Sequence, residues 1–151
     1  MPDSRAARPN HVEGAGYFML PVGPSIGAAV SSGGGDGTAG AYVALDAVVA
    51  ADIYVYGVHC FNGDVSASVT YIEVDIAVGS ATSEVIKSSV RPDIAQTGSG
   101  TAQTIGPTSL EVPLLVLAGG RLSVRTTDAS GNAEPHRVSL KCVLRSDVKG
   151  G

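Results

Sequence analysis

Four thiol and imidazole side chains are the first to test for chemistry: His59, Cys60, His136 and Cys142. His59 and Cys60 are adjacent in a β-forming run, and neighbouring residues of a strand point to opposite faces, so the two cannot hold one metal together. A site from His59, His136 and Cys142 needs distant segments to meet, and the close-spaced ligand pairs of structural zinc are missing. The cysteines fit no short metal or redox motif. They leave two readings, a disulfide or two buried thiols, and the lack of an export signal favours thiols. Glu73 and Asp75 share a strand face at roughly 6 to 7 Å, a spacing that overlaps that of glycoside-cleaving carboxylate pairs. Any two polar positions on a wet strand face have it. Solvent and arginines around them would keep both ionised and leave no raised-pKa acid.

The other candidates are weaker still. No G-x-S-x-G is present, and Gly98-Ser99-Gly100 falls in a polar stretch. The glycine run Gly33–Gly37 has neither the lysine of a phosphate-binding loop nor a strand-to-helix setting. Asp36, Asp128 and Asn132 lack the spaced carboxylates of a calcium loop. The sequence therefore assigns no catalytic, cofactor-binding or metal-binding residue, and the chain reads as non-enzymatic.

The elements that carry these residues are strands. Tyr42–Val49 and Ile53–Phe61 are β-prone, with a turn expected at Asn62-Gly63-Asp64. Val69–Val78 alternates most clearly, with Ile72, Val74, Ile76 and Val78 facing one way and Tyr71, Glu73, Asp75 and Ala77 the other. Glu84–Val90 is a weaker strand, and Arg91–Thr108, polar and rich in small residues, reads as a long exposed loop. Glu111–Thr127 reads as strand, tight turn and strand, a hairpin turning at Ala118-Gly119-Gly120. His136–Arg145 closes the domain, with His136, Val138, Leu140, Cys142 and Leu144 inward. The basic outward positions Arg121, Arg125, Arg137, Lys141 and Arg145 face an acidic counterpart in Glu73 and Asp75, which suggests cross-strand pairing.

Seven or eight strands and no helix predict an all-β fold, an antiparallel β-sandwich of jelly-roll type with an extended N-terminal arm. The expected division is 1–40 as arm and glycine-rich linker, 41–146 as the sandwich and 147–151 as a solvated tail. Within the arm, the apolar patch Tyr17, Phe18, Met19, Leu20 and Val22 is the candidate attachment element. The 151 residues suffice for one domain. A net charge of −4 argues against a general nucleic-acid binder. No apolar run approaches the roughly 20 residues of a membrane span, and the first residues do not read as a secretory signal.

The stretch Glu73-Val74-Asp75-Ile76-Ala77-Val78-Gly79, followed by Ser83-Glu84-Val85-Ile86, a variable loop, Val112-Pro113-Leu114 and Leu117-Ala118-Gly119-Gly120-Arg121-Leu122-Ser123-Val124-Arg125, resembles a known pattern. It is similar to that of small β-sandwich structural proteins of tailed bacteriophages and related particles. Leu117 stands where those proteins usually carry a proline. The resemblance spans about residues 69 to 145 and rests on scaffold and turn residues. It implies a virion component, commonly a homotrimer, assembled in the host bacterial cytoplasm: a capsid decoration protein, a head-fibre base or a tail part. Its partner would be the major capsid protein or another virion protein, reached through the arm. The competing reading is a carbohydrate- or receptor-binding module contacting a surface glycan. The absence of Trp and the placement of the tyrosines within strands count against it.

Overall fold

The computed structural model describes residues 16–23, 27–62, 70–97, 101–104, 107–129 and 132–148. Expectations for the first ten residues, for the turn beyond Asn62, for Gly98-Ser99-Gly100 and for the last three residues lie outside the described residues. The strands are β1 (Phe18–Leu20), β2 (Ala28–Ser31), β3 (Val43–Asp46), β4 (Ile53–Asn62), β5 (Ile72–Val78), β6 (Val85–Val90), β7 (Ile94–Thr97), β8 (Thr101–Thr104), β9 (Thr108–Val116), β10 (Leu122–Asp128) and β11 (Pro135–Leu144). One turn of 3-10 helix, Arg145–Asp147, follows. Among the described residues no helix is long and apolar enough to cross a membrane.

Two antiparallel sheets form the body. One has the order β1-β11-β4-β9 with β2 also on β11; the other has the order β3-β10-β5-β6. The chain changes sheet at each connection from β2 to β5, remains in one sheet for the β5–β6 turn, and alternates again from β9 to β11. That wrapping is a jelly roll, as expected. The inner faces supply Val55, Val58, Cys60, Val138, Leu140 and Cys142 from one sheet and Ile72, Val74, Ile76, Leu122 and Val124 from the other, in a single buried cluster. Their period-two spacing is the reason these segments are strands: one face is removed from water while the backbone pairs sideways.

The expected Glu111–Thr127 hairpin is not one. β9 pairs with β4 and β10 with β3 and β5, so the turn at 117–120 crosses between the sheets. Val116 and Leu122 are both fully buried on facing inner surfaces, which edge-to-edge pairing would not achieve. The crossing is secured by the neighbouring crossing between β3 and β4. Val49 N–H donates to Gly120 O at 2.8 Å and Gly119 N–H to Val49 O at 2.8 Å. Ala118 N–H donates to Asp52 Oδ1 at 2.9 Å. Pro113, lacking an amide hydrogen, sits where β9 loses register with β4: the pairing passes from Ser109 opposite Gly57 to Leu114 opposite Val55.

Two short strands lie within the segment expected as arm and linker. β1 and β2 lie end to end along one edge of β11, pairing Leu20 with Leu140 and Ala28 with Val138. β1 and β2 are thereby part of the sandwich, and Leu20 and Val30 lie in its core. The Gly33–Gly37 run, expected as a flexible break, is a closed turn. Gly33 N–H donates to Thr38 O and Gly37 N–H to Asp128 O, each at 2.9 Å. Gly40 must lack a side chain, since a Cβ there would collide with the Ser31 carbonyl.

Three smaller expectations change as well. The 91–108 loop contains the antiparallel hairpin β7–β8, a separate two-stranded sheet. Leu144, expected inward, rims an open end of the sandwich and is exposed, whereas Val143 is fully buried. Asp75 and Ala77, expected on a wet face, are buried because β5 is a central strand overlaid by its neighbours' side chains.

Arg125 stands opposite Asp75 in the β10–β5 register, and its Nε donates to Asp75 Oδ2 at 2.8 Å. Ser89 Oγ donates to Asp75 Oδ1 at 2.6 Å. This is the opposite-charge cross-strand contact expected from the sequence. Arg125→Met strands the buried carboxylate and should destabilise the fold by about 3 kcal/mol. Arg91→Met, which removes an exposed partner of Glu73, should leave the urea midpoint unchanged. Equal effects of the two in urea unfolding would refute the distinction.

Candidate docking surface

The apolar segment singled out in the sequence divides by parity along the β11 edge. Leu20 is buried and Phe18 partly so, both over an end cavity of about 210 Å³ lined also by Val49, Ile53 and Leu144. Tyr17 and Met19 point to the outer face and are 48% and 40% exposed, while Val22, beyond the end of β1, is 85% exposed at the rim of that same cavity. Phe18 and Leu20 thus seat the segment, while Tyr17, Met19 and Val22 remain accessible.

Tyr17 joins a ring cluster on the outer face of the five-stranded sheet. It meets Tyr56 edge-on at 6.0 Å and 89°, and Tyr56 meets Tyr54 at 6.3 Å and 67°. Lys141 Nζ lies 4.1 Å from the Tyr17 ring centre. Further along β4, His59 and Phe61 stack at 4.5 Å, with Phe61 exposed. Burial, with smaller contributions from Tyr17 and Tyr54, pushes the Tyr56 hydroxyl above its ordinary pKa. Sequence reasoning missed this surface. The signal was present in Tyr54 and Tyr56 alternating with buried Ile53 and Val55, which turns both rings outward.

The residues considered for chemistry are kept apart or sealed. Glu73 pairs with Arg91 and Asp75 with Arg125, so the two carboxylates are held by different arginines and do not converge. His136 Nε2 lies 2.7 Å from Asp128 Oδ2, with both side chains wholly buried. His136 Nδ1 has no hydrogen-bond partner among the described residues. A substrate cannot reach either group, so the pair ties β11 to β10 through the core. Among the described residues no group of three or more His, Cys, Asp or Glu could hold a metal ion. Cys60 and Cys142 are buried thiols, the favoured reading of the sequence.

On the far side, between the edge strands β6 and β9, a groove of about 480 Å³ is lined by Lys87, Ser89, Arg91, Ser109, Glu111 and Pro113. Val85, Ile86 and Val112 are exposed along the same two edges.

Comparison with known proteins adds little. No protein-family model matches the chain, and no curated protein matches it. A solved chain from the structure of infectious bursal disease virus, Gx strain, aligns with 93% of this chain at 10% identity and a TM-score of 0.32. The aligned region spans 35%, about a third, of that viral chain.

Burial pushes the Cys60 and Cys142 thiols up to about 12, with Asp46 a smaller contributor at Cys142. An aromatic disulfide reagent at pH 8 should label no thiol in the native protein and both after denaturation. Because the folded values are raised, the stability linked to these groups is complete below about pH 9, the ordinary thiol value. It is lost as pH rises from there toward 12, where the unfolded chain binds fewer protons than the native one. Native labelling at pH 8, or an unfolding free energy flat across that alkaline range, would contradict this.

Proposed function

We propose that this chain is a non-enzymatic structural protein of a tailed phage or phage-like particle, a head-surface component held in place through Tyr17, Met19 and Val22. The observation that carries the reading is the exposed aromatic and aliphatic surface built around that segment. Surfaces of this composition on a soluble domain are covered when the domain is at work. The jelly-roll wrapping of the two sheets agrees with the reading at the level of fold, since viral capsid and lectin domains use that architecture, although fold alone does not assign function. The buried His136–Asp128 pair and the separated carboxylates supply rigidity and no reachable reacting group. Repeated copies on a lattice would gain avidity from individually weak contacts.

One observation favours the glycan reading. Tyr54 and Tyr56 lie within a strand yet face outward beside Tyr17, so their strand placement no longer counts against it. Binding on a glycan array, lost in Tyr56→Ala, would support that reading over attachment to a particle.

For the particle role, the chain should be found in lattice-like copy number in purified particles by quantitative mass spectrometry. Tyr17→Ser, Met19→Ser and Val22→Ser combined should reduce occupancy at least tenfold while leaving the thermal midpoint within a few degrees, because all three side chains are exposed. Full occupancy of the triple variant would remove this segment as the attachment element.

A further inference from the structure

Three arginines at the four-stranded sheet are ion-paired, whereas, among the described residues, two cations in the middle of the five-stranded sheet are not. On the four-stranded sheet, Arg125 is in register with Asp75 and bonds to it. Arg121 bonds to Glu84 and Arg91 to Glu73 in the same manner. On the five-stranded sheet, Lys141 stands between Met19 and Gly57 in register, and Arg137 between Ala29 and Phe61. Neither cation has a carboxylate partner among the described residues, and both are accessible. Opposite charges directly across a strand pair are an available stabilising choice. This chain has an excess of acidic residues, yet it places none at those four flanking positions.

Arg137 and Lys141 lie four residues apart on one face of β11, about 13 Å by strand geometry. Between and beside them are the exposed rings of Tyr17 and Phe61, with Tyr56 and Met19 completing the surface. We propose that this face is a docking surface for an acidic protein patch, the partner to which the Tyr17–Val22 segment is attached. The inference rests on the particle reading above and adds the chemistry of the other side. Two features select a protein over a sugar. The Tyr17–Tyr56 and Tyr56–Tyr54 pairs meet at 89° and 67°, so the rings form no flat shelf on which a pyranose chain could stack. Tyr, Phe, Met and Arg together are the side chains enriched where protein interfaces are buried. The rings and Met19 supply apolar contact area, and the two cations set orientation and reject basic surfaces.

The test measures rebinding of full-length protein to particles stripped of it, across a salt series, for wild type, Arg137→Gln/Lys141→Gln and Lys87→Gln. Lys87, on the opposite edge, serves as the control cation. Thermal melts establish that each variant is folded. The expected result is wild-type binding that weakens about tenfold or more between low and high salt. The double variant should bind about tenfold more weakly at low salt, with a shallower salt dependence, and Lys87→Gln should match wild type. Wild-type binding that is insensitive to salt and unchanged in the double variant overturns the acidic partner while leaving the particle reading intact. Failure of wild type to rebind at any salt overturns both. As a further arm, a sulfated hexasaccharide is titrated into each protein. Saturable binding to it that is lost in the double variant, without salt-dependent particle binding, assigns the face to a glycan and overturns the proposal.

Discussion

Two apolar faces have to meet, and almost every other feature of this molecule follows from that requirement. Each sheet is apolar on one side only, so neither is stable alone in water, and burying both faces against each other is the dominant favourable term. The chain satisfies the requirement by changing sheet at nearly every connection. Crossing turns are then needed at the ends of the sandwich, where buried backbone groups must find partners. The crossings at 49–52 and 117–120 solve this for each other, exchanging amide and carbonyl bonds through Val49, Gly119 and Gly120. Asp52 adds a side-chain acceptor for Ala118 and an ion pair with Arg145, which joins the end of β11 to the same corner.

With the inner faces committed to the core, the outer faces are what the described residues leave accessible. The polar groups that might have formed a reacting site are used for cohesion instead. His136 and Asp128 join the sheets through the core, and Asp75 is fixed by Arg125 and Ser89. On the four-stranded sheet, Arg91, Arg121 and Arg125 are each held by an acidic side chain. The outer face of the five-stranded sheet is open, aromatic and cationic. On the proposed reading, this asymmetry gives the molecule one side with which to bind and fixes it to a larger assembly in one orientation.

The N-terminal segment joins these two levels. Its alternation places Leu20 in the core and leaves Met19 on the outer face, so the residues that anchor the segment are distinct from those it presents. Lys141 lies over the Tyr17 ring, and Met19 stands opposite Lys141 across the strand pair. The segment is thereby part of the five-stranded sheet's outer surface, continuous with the rings of β4.

The sequence alone determined the fold class, most strand positions and most of the inward set of β5 and β11, because a period of two records which face is dry. It also suggested pairing between basic and acidic outward faces, of which the structure makes the Arg125–Asp75 contact while Arg137 and Lys141 lie on the other sheet. It did not determine which strands are neighbours. Glu111–Thr127 has all the local signals of a hairpin, yet Val116 and Leu122 must face each other across the core, and only the packing of two sheets enforces that. For the same reason the glycine run at 33–37 looked like a linker until its amides were seen bonded to Thr38 and Asp128. The candidate surface was half legible. Tyr17–Val22 stood out as an apolar patch, whereas its union with Tyr54, Tyr56 and Phe61 depends on β1 and β4 flanking β11, a long-range pairing that local sequence does not encode.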